Sequence, residues 1–383
     1  MESYVCPICG NKDQRFIGNI HGKLYCRKCV TFKGELAKPK TSHIGTVSLN
    51  LHYSLTKEQK EISDKLIENY KKHVDSLVNA VCGAGKTELI YGVIAYALIN
   101  GHQVGFALPR RDVAIELIAR FKDAFPSNKV TLVIGGETNR LIGDIIILTT
   151  HQLFRYPSYF DLLIVDEIDA FPYKGNDVLN ALFRKAVRGN HILMSATPDE
   201  KTLREYSKPG HDVLELNVRF HHSPLPIPKI ELAMGMFKFV KVVKYLEKFI
   251  NEKKPVFIFT PTIGICNELY LKLSRYFRNG NYVHSKRENR ERIIKDFKDG
   301  HYSFLVTTAV LERGVTIKNL QVIIYEADNS IYDEHSLVQI AGRVGRKYDA
   351  REGEVIFIGS YKTNAMERAI QTIRRKNEYL QDV

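Results

Sequence analysis

The sequence predicts an α/β protein: two tandem parallel-sheet domains behind a small N-terminal cysteine module. Three observations carry this. From Leu55 onward, short runs rich in Val, Ile and Leu alternate with helix-length amphipathic runs. Strand-like runs such as DIIILTT and DLLIVDEI are apolar on both faces, as parallel strands covered by helices on each side are. The series breaks once, at FHHSPLPIPKI (220–230), where closely spaced prolines make a stiff connector, and then resumes.

The first element is the cysteine module. CPIC and CRKC place Cys6, Cys9, Cys26 and Cys29 in two knuckles separated by 16 residues. That spacing is expected to hold structural Zn²⁺ through four thiolates, with no position open for catalysis. Residues 31–53 are basic and weakly periodic and read as a linker. The expected boundaries are 1–40 for the module, 41–53 for the linker, 54–222 for the first domain, 223–230 for the connector and 231–383 for the second domain.

In the first domain, LTKEQKEISDKLIENYKK reads as a helix, with Leu55, Ile62, Leu66 and Tyr70 near helical spacing. SLVNAVC is a strand ended by glycines, GKTELIYGVIAYALIN a helix, HQVGFALP a strand, and RDVAIELIARFKDAF a helix opened by Asp112. KVTLVIGG, DIIILTT, DLLIVDEI and HILMSAT follow as strands. In the second domain, the helix VKVVKYLEKFINEKK precedes the strand PVFIFTPT, a helix to about Phe277 and the strand YVHS. The helix RENRERIIKDFKDG, the strands SFLVTT, QVIIYEA and EGEVIFIG, and a basic helix complete the chain.

The chain has 383 residues and a net charge of 56 − 43 = +13. A surplus of this size suits a polyanionic partner, either nucleic acid or an anionic membrane surface. No window approaches about 18 uncharged apolar residues, so no membrane-spanning helix is expected. The opening MESYVCPICGNKDQRF lacks the basic start and apolar segment of a signal peptide, and a cytosolic protein is expected.

AVCGAGKTE (80–88) follows a predicted strand and opens a predicted helix, the context a phosphate-binding loop requires. Gly83 and Gly85 let the backbone curl so that its N–H groups face phosphate oxygens, with Ala84 between them in the same ATP-binding loop, helped by the helix N-terminus. Lys86 is expected to reach the β- and γ-phosphates of ATP and Thr87 to ligate Mg²⁺. Asp166, Glu167 and Asp169 end a strand about 80 residues later, where a carboxylate points into the ligand crevice of a parallel sheet. Asp166 would hold Mg²⁺ and Glu167 would orient or deprotonate the attacking water.

AxxGxGKT, DExD, SAT and QxxGRxGR occur in that order, and residues 55–383 resemble superfamily 2 helicases and translocases. The resemblance implies two RecA-like domains. It assigns coupling to Ser195 and Thr197, and adenine recognition to Gln59. It makes Arg343 and Arg346 arginine fingers supported by Gln339, reaching the transferring phosphoryl group only on domain closure, an effect on the order of 10³–10⁵ in rate. It places DNA contacts at Pro109, Arg110, Arg111, Thr149, Thr150 and His151, and in the second domain at Thr260, Pro261, Thr262, Thr307 and Thr308. Arg313 and Gly314 would link track to nucleotide. With the cysteine module, and with LERGVT and QIAGRVGR, the whole chain resembles the ComFA-type late competence DNA-uptake ATPases of Gram-positive bacteria. That implies an ATP-driven single-stranded DNA motor at the cytoplasmic face of the membrane, working with ComFC-like partners and the DNA-uptake channel, with its oligomeric state open. The rival readings are a replication-restart helicase, whose zinc segment lies in the second lobe; an RNA helicase, whose acid box is DEAD rather than DEID; and a DNA-binding adaptor with a vestigial ATPase, against which every catalytic position is filled. No nuclease constellation is evident.

Overall fold

The computed structural model describes residues 4–38, 47–52, 54–136, 138, 140–169, 173, 175–312 and 315–378. It divides into two units, one of Met1–Ala80 with Gly85–Leu216, the other of Val81–Ala84 with Asn217–Val383. The division at Leu216/Asn217 falls before the proline-rich stretch, so residues expected at the end of the first domain group with the second. The N-terminal module groups with the first unit.

In the first unit, β1 (Ile17–Ile20) and β2 (Lys23–Cys26) form an antiparallel hairpin with Ile17 opposite Cys26. The α/β layer starts at α1 (Lys57–Lys71), held by a capping box in which Thr56 and Gln59 bond each other's backbone N–H. Next come β3 (Asp75–Ala80), α2 (Lys86–Leu89), α3 (Tyr91–Ile99), β4 (Val104–Leu108) and α4 (Arg111–Ala124). The single helix expected from GKTELIYGVIAYALIN is thus two, parted at Ile90. Then follow β5 (Val130–Val133), β6 (Ile145–Thr149), β7 (Phe160–Val165), α5 (Asp177–Ala186), β8 (Val187–Ser195), α6 (Glu200–Tyr206) and β9 (His211–Leu216). They make a seven-stranded sheet ordered β5-β6-β4-β7-β8-β3-β9, parallel at every pairing. The strand ends that carry GKT, PRR, TTH, DEID and SAT therefore share one edge, where parallel sheets bind ligands.

The second unit holds β10 (Lys229–Leu232), α7 (Met236–Asn251), β11 (Val256–Phe259), α8 (Ile263–Leu273), β12 (Gly280–Val283) and α9 (Arg290–Lys298). It continues with β13 (Phe304–Thr307), β14 (Gln321–Tyr325), α10 (Glu334–Ala341), β15 (Val355–Gly359) and α11 (Asn364–Glu378). Its six strands run β10-β15-β14-β11-β13-β12, again all parallel. β11, β13 and β15 are wholly buried, as their unbroken apolar sequences require. The edge strands β9 and β10 were not expected. A strand paired on one side only needs less apolar sequence, and HDVLEL and KIEL carry no signal above their surroundings. Among the described residues no helix is long and apolar enough to cross a membrane.

Candidate functional site

The first unit gathers the phosphate-loop lysine and the acids. β3 stops at Ala80, and α2 is entered through Gly85 with φ +76. A Cβ there would sit 2.6 Å from Gln59 Nε2, so the left-handed backbone calls for glycine and a methyl group would also have to displace the Gln59 side-chain amide. Gln59 is buried, and its Oε1 accepts from the Thr56 N–H at 2.9 Å. The residue expected to read adenine is therefore part of the helix cap, with its amide nitrogen over the phosphate loop. Lys86 Nζ lies 3.9 Å from Asp166 Oδ1.

Asp166 is in an unusual electrostatic position. Burial pushes its carboxyl up to about 6, against the pull of Lys86 and with the push of Glu167 and Asp169. A buried acid that resists ionisation is stabilised by a hard cation, and Thr87 and Asp166 offer the oxygen donors Mg²⁺ takes. Glu167 has φ +56, a left-handed backbone costing about 1–3 kcal/mol in a non-glycine residue, and its N–H donates to Asp166 Oδ1 at 2.8 Å. The strain falls on the residue expected to handle the attacking water. Asp169 joins this strand end to the next: Ser195 Oγ donates to its Oδ1 at 2.8 Å and Thr197 Oγ1 to its Oδ2 at 2.9 Å. The Thr197 N–H also donates to Ser195 Oγ at 3.0 Å, so DEID and SAT form one charge-assisted network.

In the second unit, Gln339 is buried on α10. The two arginines that follow differ. Arg343 is 2% exposed, its Nε donating to Glu312 O at 2.7 Å and its Nη1 to Val315 O at 2.8 Å. It ties the backbone at Glu312 to that at Val315 rather than presenting a surface charge. Arg346 is half-buried, with Nε on Gly342 O at 2.8 Å. Beneath this turn lies Arg219, which the sequence reading did not single out. Its Nη1 donates to Gly345 O at 2.9 Å, and burial, with Arg346 nearby, draws its guanidinium down to about 10. His221 Nε2 bonds the same carbonyl at 2.8 Å.

The expected strand contacts separate by exposure. Arg111 and Thr262 are exposed, and Arg110, His151 and Thr308 partly so. Pro109, Thr149, Thr150, Thr260, Pro261 and Thr307 are buried, so those side chains shape the strand ends instead of facing solvent. Thr260 Oγ1, for example, donates to Thr307 O at 3.0 Å, tying β11 to β13. Arg313 and Gly314 lie outside the described residues. A basic cluster also escaped the sequence reading. Lys286, Arg287 and Arg292 line a cavity of about 700 Å³ beside β12, with the buried His284 at its wall. The charge density of SKRENRER is the one signal for it in the sequence, and a solvated helix start carries the same pattern.

The four N-terminal cysteines are buried together, with their sulfurs all within 4.8 Å of one another. Cys6 and Cys29 Sγ are 3.3 Å apart, and Cys9 and Cys26 Sγ 3.7 Å. Tetrahedral Zn–S bonds of about 2.3 Å imply sulfur separations of about 3.8 Å, so the donor set fits zinc. Burial pushes the Cys9 thiol up to about 11 and raises Cys29 further. Thiols so raised keep their protons at neutral pH until a bound cation displaces them into solvent.

Comparison with known proteins agrees with this geometry. Residues 56–206 match the DEAD/DEAH box helicase family and residues 238–348 the helicase conserved C-terminal domain. S. cerevisiae Dbp5 bound to RNA and ADP BeF3 superposes with a TM-score of 0.64 at 19% identity, over 85% of this chain and 92% of that one, a likeness of fold alone. Competence protein ComFA of Bacillus subtilis (strain 168) is 34% identical over 98% of this chain and 86% of its own length. Competence protein ComFA of Streptococcus pneumoniae (strain ATCC BAA-255 / R6) is 33% identical over 93% of this chain and 86% of its own. The helicase families make the chain a superfamily 2 ATPase that uses ATP and Mg²⁺. Motor motifs are shared across that superfamily, whereas identity of this degree over nearly the whole length is not, and the chain therefore belongs to the ComFA family of competence proteins.

Proposed function

We propose that this competence-associated ATPase is a motor that translocates along single-stranded DNA during uptake. The observation that carries the reading is the Asp169 network. The acid box that handles hydrolysis and the SAT hydroxyls assigned to coupling share one carboxylate. Arg110, Arg111 and His151 lie at strand ends on the same edge of the sheet, and the net charge of +13 supplies the long-range attraction for a polyanion.

In the hydrolytic step, the oxygen of water bonds the γ-phosphorus as the bridging P–O bond breaks, and Glu167 accepts the water proton. Lys86 neutralises phosphate charge and Arg346 stabilises the charge on the transferring group. Thr87 and Asp166 would hold Mg²⁺, which would supply charge neutralisation for the phosphates. Cys6, Cys9, Cys26 and Cys29 hold structural zinc. On this reading it works at the cytoplasmic face of the membrane with a ComFC-like partner and the uptake channel, an assignment that the family relationship supports.

The test is ATP hydrolysis by the full chain with no nucleic acid, single-stranded DNA, duplex DNA or RNA, beside Arg346→Ala. Stimulation chiefly by single-stranded DNA, lost in the variant, is expected. Preferential stimulation by RNA, or hydrolysis indifferent to every polymer, would overturn the reading.

A further inference from the structure

We propose that Phe32 is a positioning residue through which the metal-closed N-terminal module holds the His151 turn, and so sets the first unit's grip on the strand. The inference rests on the strand-motor reading for the word grip, but the contacts stand by themselves. Residues Thr150–Arg155 form a 3₁₀ turn directly after β6, and its N-terminus has no side-chain cap. Short 3₁₀ turns have poor internal hydrogen-bond geometry and take their stability from what packs on them. Here Leu153 anchors one side of the turn in the first unit's core, and the module packs on the side that carries His151 and Phe154. The Phe32 ring stacks on His151 with centroids 6.0 Å apart and planes 19° apart, and meets Phe154 at 5.8 Å.

The backbone reinforces the rings. Arg155 Nη1 donates to Glu35 O at 2.9 Å, and the Ala37 N–H donates to Arg155 O at 2.8 Å. A Cβ on Gly34 would come within 2.7 Å of Arg155 Nη1, so the two segments are fitted closely. The link back to the metal site is three residues long: the Phe32 N–H donates to the carbonyl of Cys29 at 3.0 Å. On the other side, the cysteine cluster packs on Val178 and Ala181 of α5, and Lys185 bonds the Pro7 carbonyl. A path of direct contacts thus runs from a metal ligand, through Phe32, to a residue expected to touch DNA. A module tethered only by a linker would show none of these contacts.

The test compares full-length wild type, Phe32→Ala, Phe32→Tyr, His151→Ala and the Phe32→Ala/His151→Ala double variant. Each is assayed for bound zinc, for hydrogen exchange of the segment spanning 149–155, and for affinity to a fluorescent oligo-dT without nucleotide. Phe32→Ala is expected to keep its zinc and lose exchange protection at 149–155. Its DNA affinity should fall about threefold to tenfold, the range of one aromatic pair. The concentration of DNA needed for half-stimulation should rise with the maximal rate unchanged. Phe32→Tyr should restore the wild-type values, and the double variant should bind no more weakly than His151→Ala. Unchanged exchange in Phe32→Ala would overturn the brace, as would loss of zinc along with protection, which would make Phe32 a residue of the module's own fold. Unchanged DNA affinity with protection lost would overturn the link to grip. A wild type that bound no strand would refute the motor reading, while the exchange result would still decide the brace.

Discussion

Asp166 gives the most quantitative prediction. Burial moves its carboxyl from 3.8 to about 6, a difference of about 3 kcal/mol between protonation states at ~1.36 kcal/mol per pH unit. The opposing attraction from Lys86 at 3.9 Å is on the order of 4 kcal/mol at an effective dielectric of about 20, so burial, helped by Glu167 and Asp169, outweighs it and still leaves the carboxyl raised. The sign follows: a carboxyl raised in the folded state destabilises it above the folded pKa, and that cost disappears as pH falls from about 6 toward 4. A divalent cation must displace the proton below pH 6, and need not above it. Mn²⁺ standing in for Mg²⁺, titrated by electron paramagnetic resonance without nucleotide, avoids the phosphate's own titration. Affinity should be flat from pH 8 to about 6, then weaken about tenfold per pH unit. Glu167→Gln removes a neighbouring negative charge and should move the break down, while Lys86→Met should move it up by at least about one pH unit. A break near pH 4 in the wild type, or variants that move it the opposite way, would refute the account of this carboxylate.

Other consequences are simpler to state. Arg346→Ala should lower DNA-stimulated hydrolysis by on the order of 10³ while leaving thermal unfolding unchanged, whereas Arg343→Ala should lower the unfolding temperature as well, because Glu312 O and Val315 O lose buried charged donors; calorimetry beside the rate assay separates them. Gly85→Ala should weaken nucleotide binding at least about tenfold in an equilibrium fluorescence titration, since the left-handed φ and the Gln59 amide 2.6 Å away both oppose a methyl group. Cys9→Ser should abolish stoichiometric zinc measured by mass spectrometry of the metal and expose α5 to exchange around Val178 and Ala181, which the cysteine cluster covers.

Much of the active chemistry was legible because it is local in the chain. A phosphate loop must be a strand, a glycine turn and a helix in immediate succession, so AVCGAGKTE declares itself, and DEID and SAT are strand ends whose neighbours are equally constrained. The cysteine pairs are legible for the same reason, since tetrahedral ligation fixes their spacing. The fold class followed from strands apolar on both faces, a pattern only a covered parallel sheet rewards.

The tertiary structure decided what depends on distant neighbours. A threonine at a strand end reads the same whether its hydroxyl faces solvent or ties two strands together, and Thr260 and Thr307 prove to be buried. Two arginines three residues apart are alike as letters, but backbone carbonyls about 30 residues upstream in sequence claim Arg343, while Arg346 stays half-exposed. β9 and β10 acquire strand character from a partner on one side and not from their own composition. Nothing within the segment 31–38 foretells that Phe32 rests on His151, because the match of two surfaces more than 100 residues apart is a property of packing. The sequence by itself determined which groups the protein has for its chemistry. Only the fold decided which of them face solvent, which are held in place, and by what.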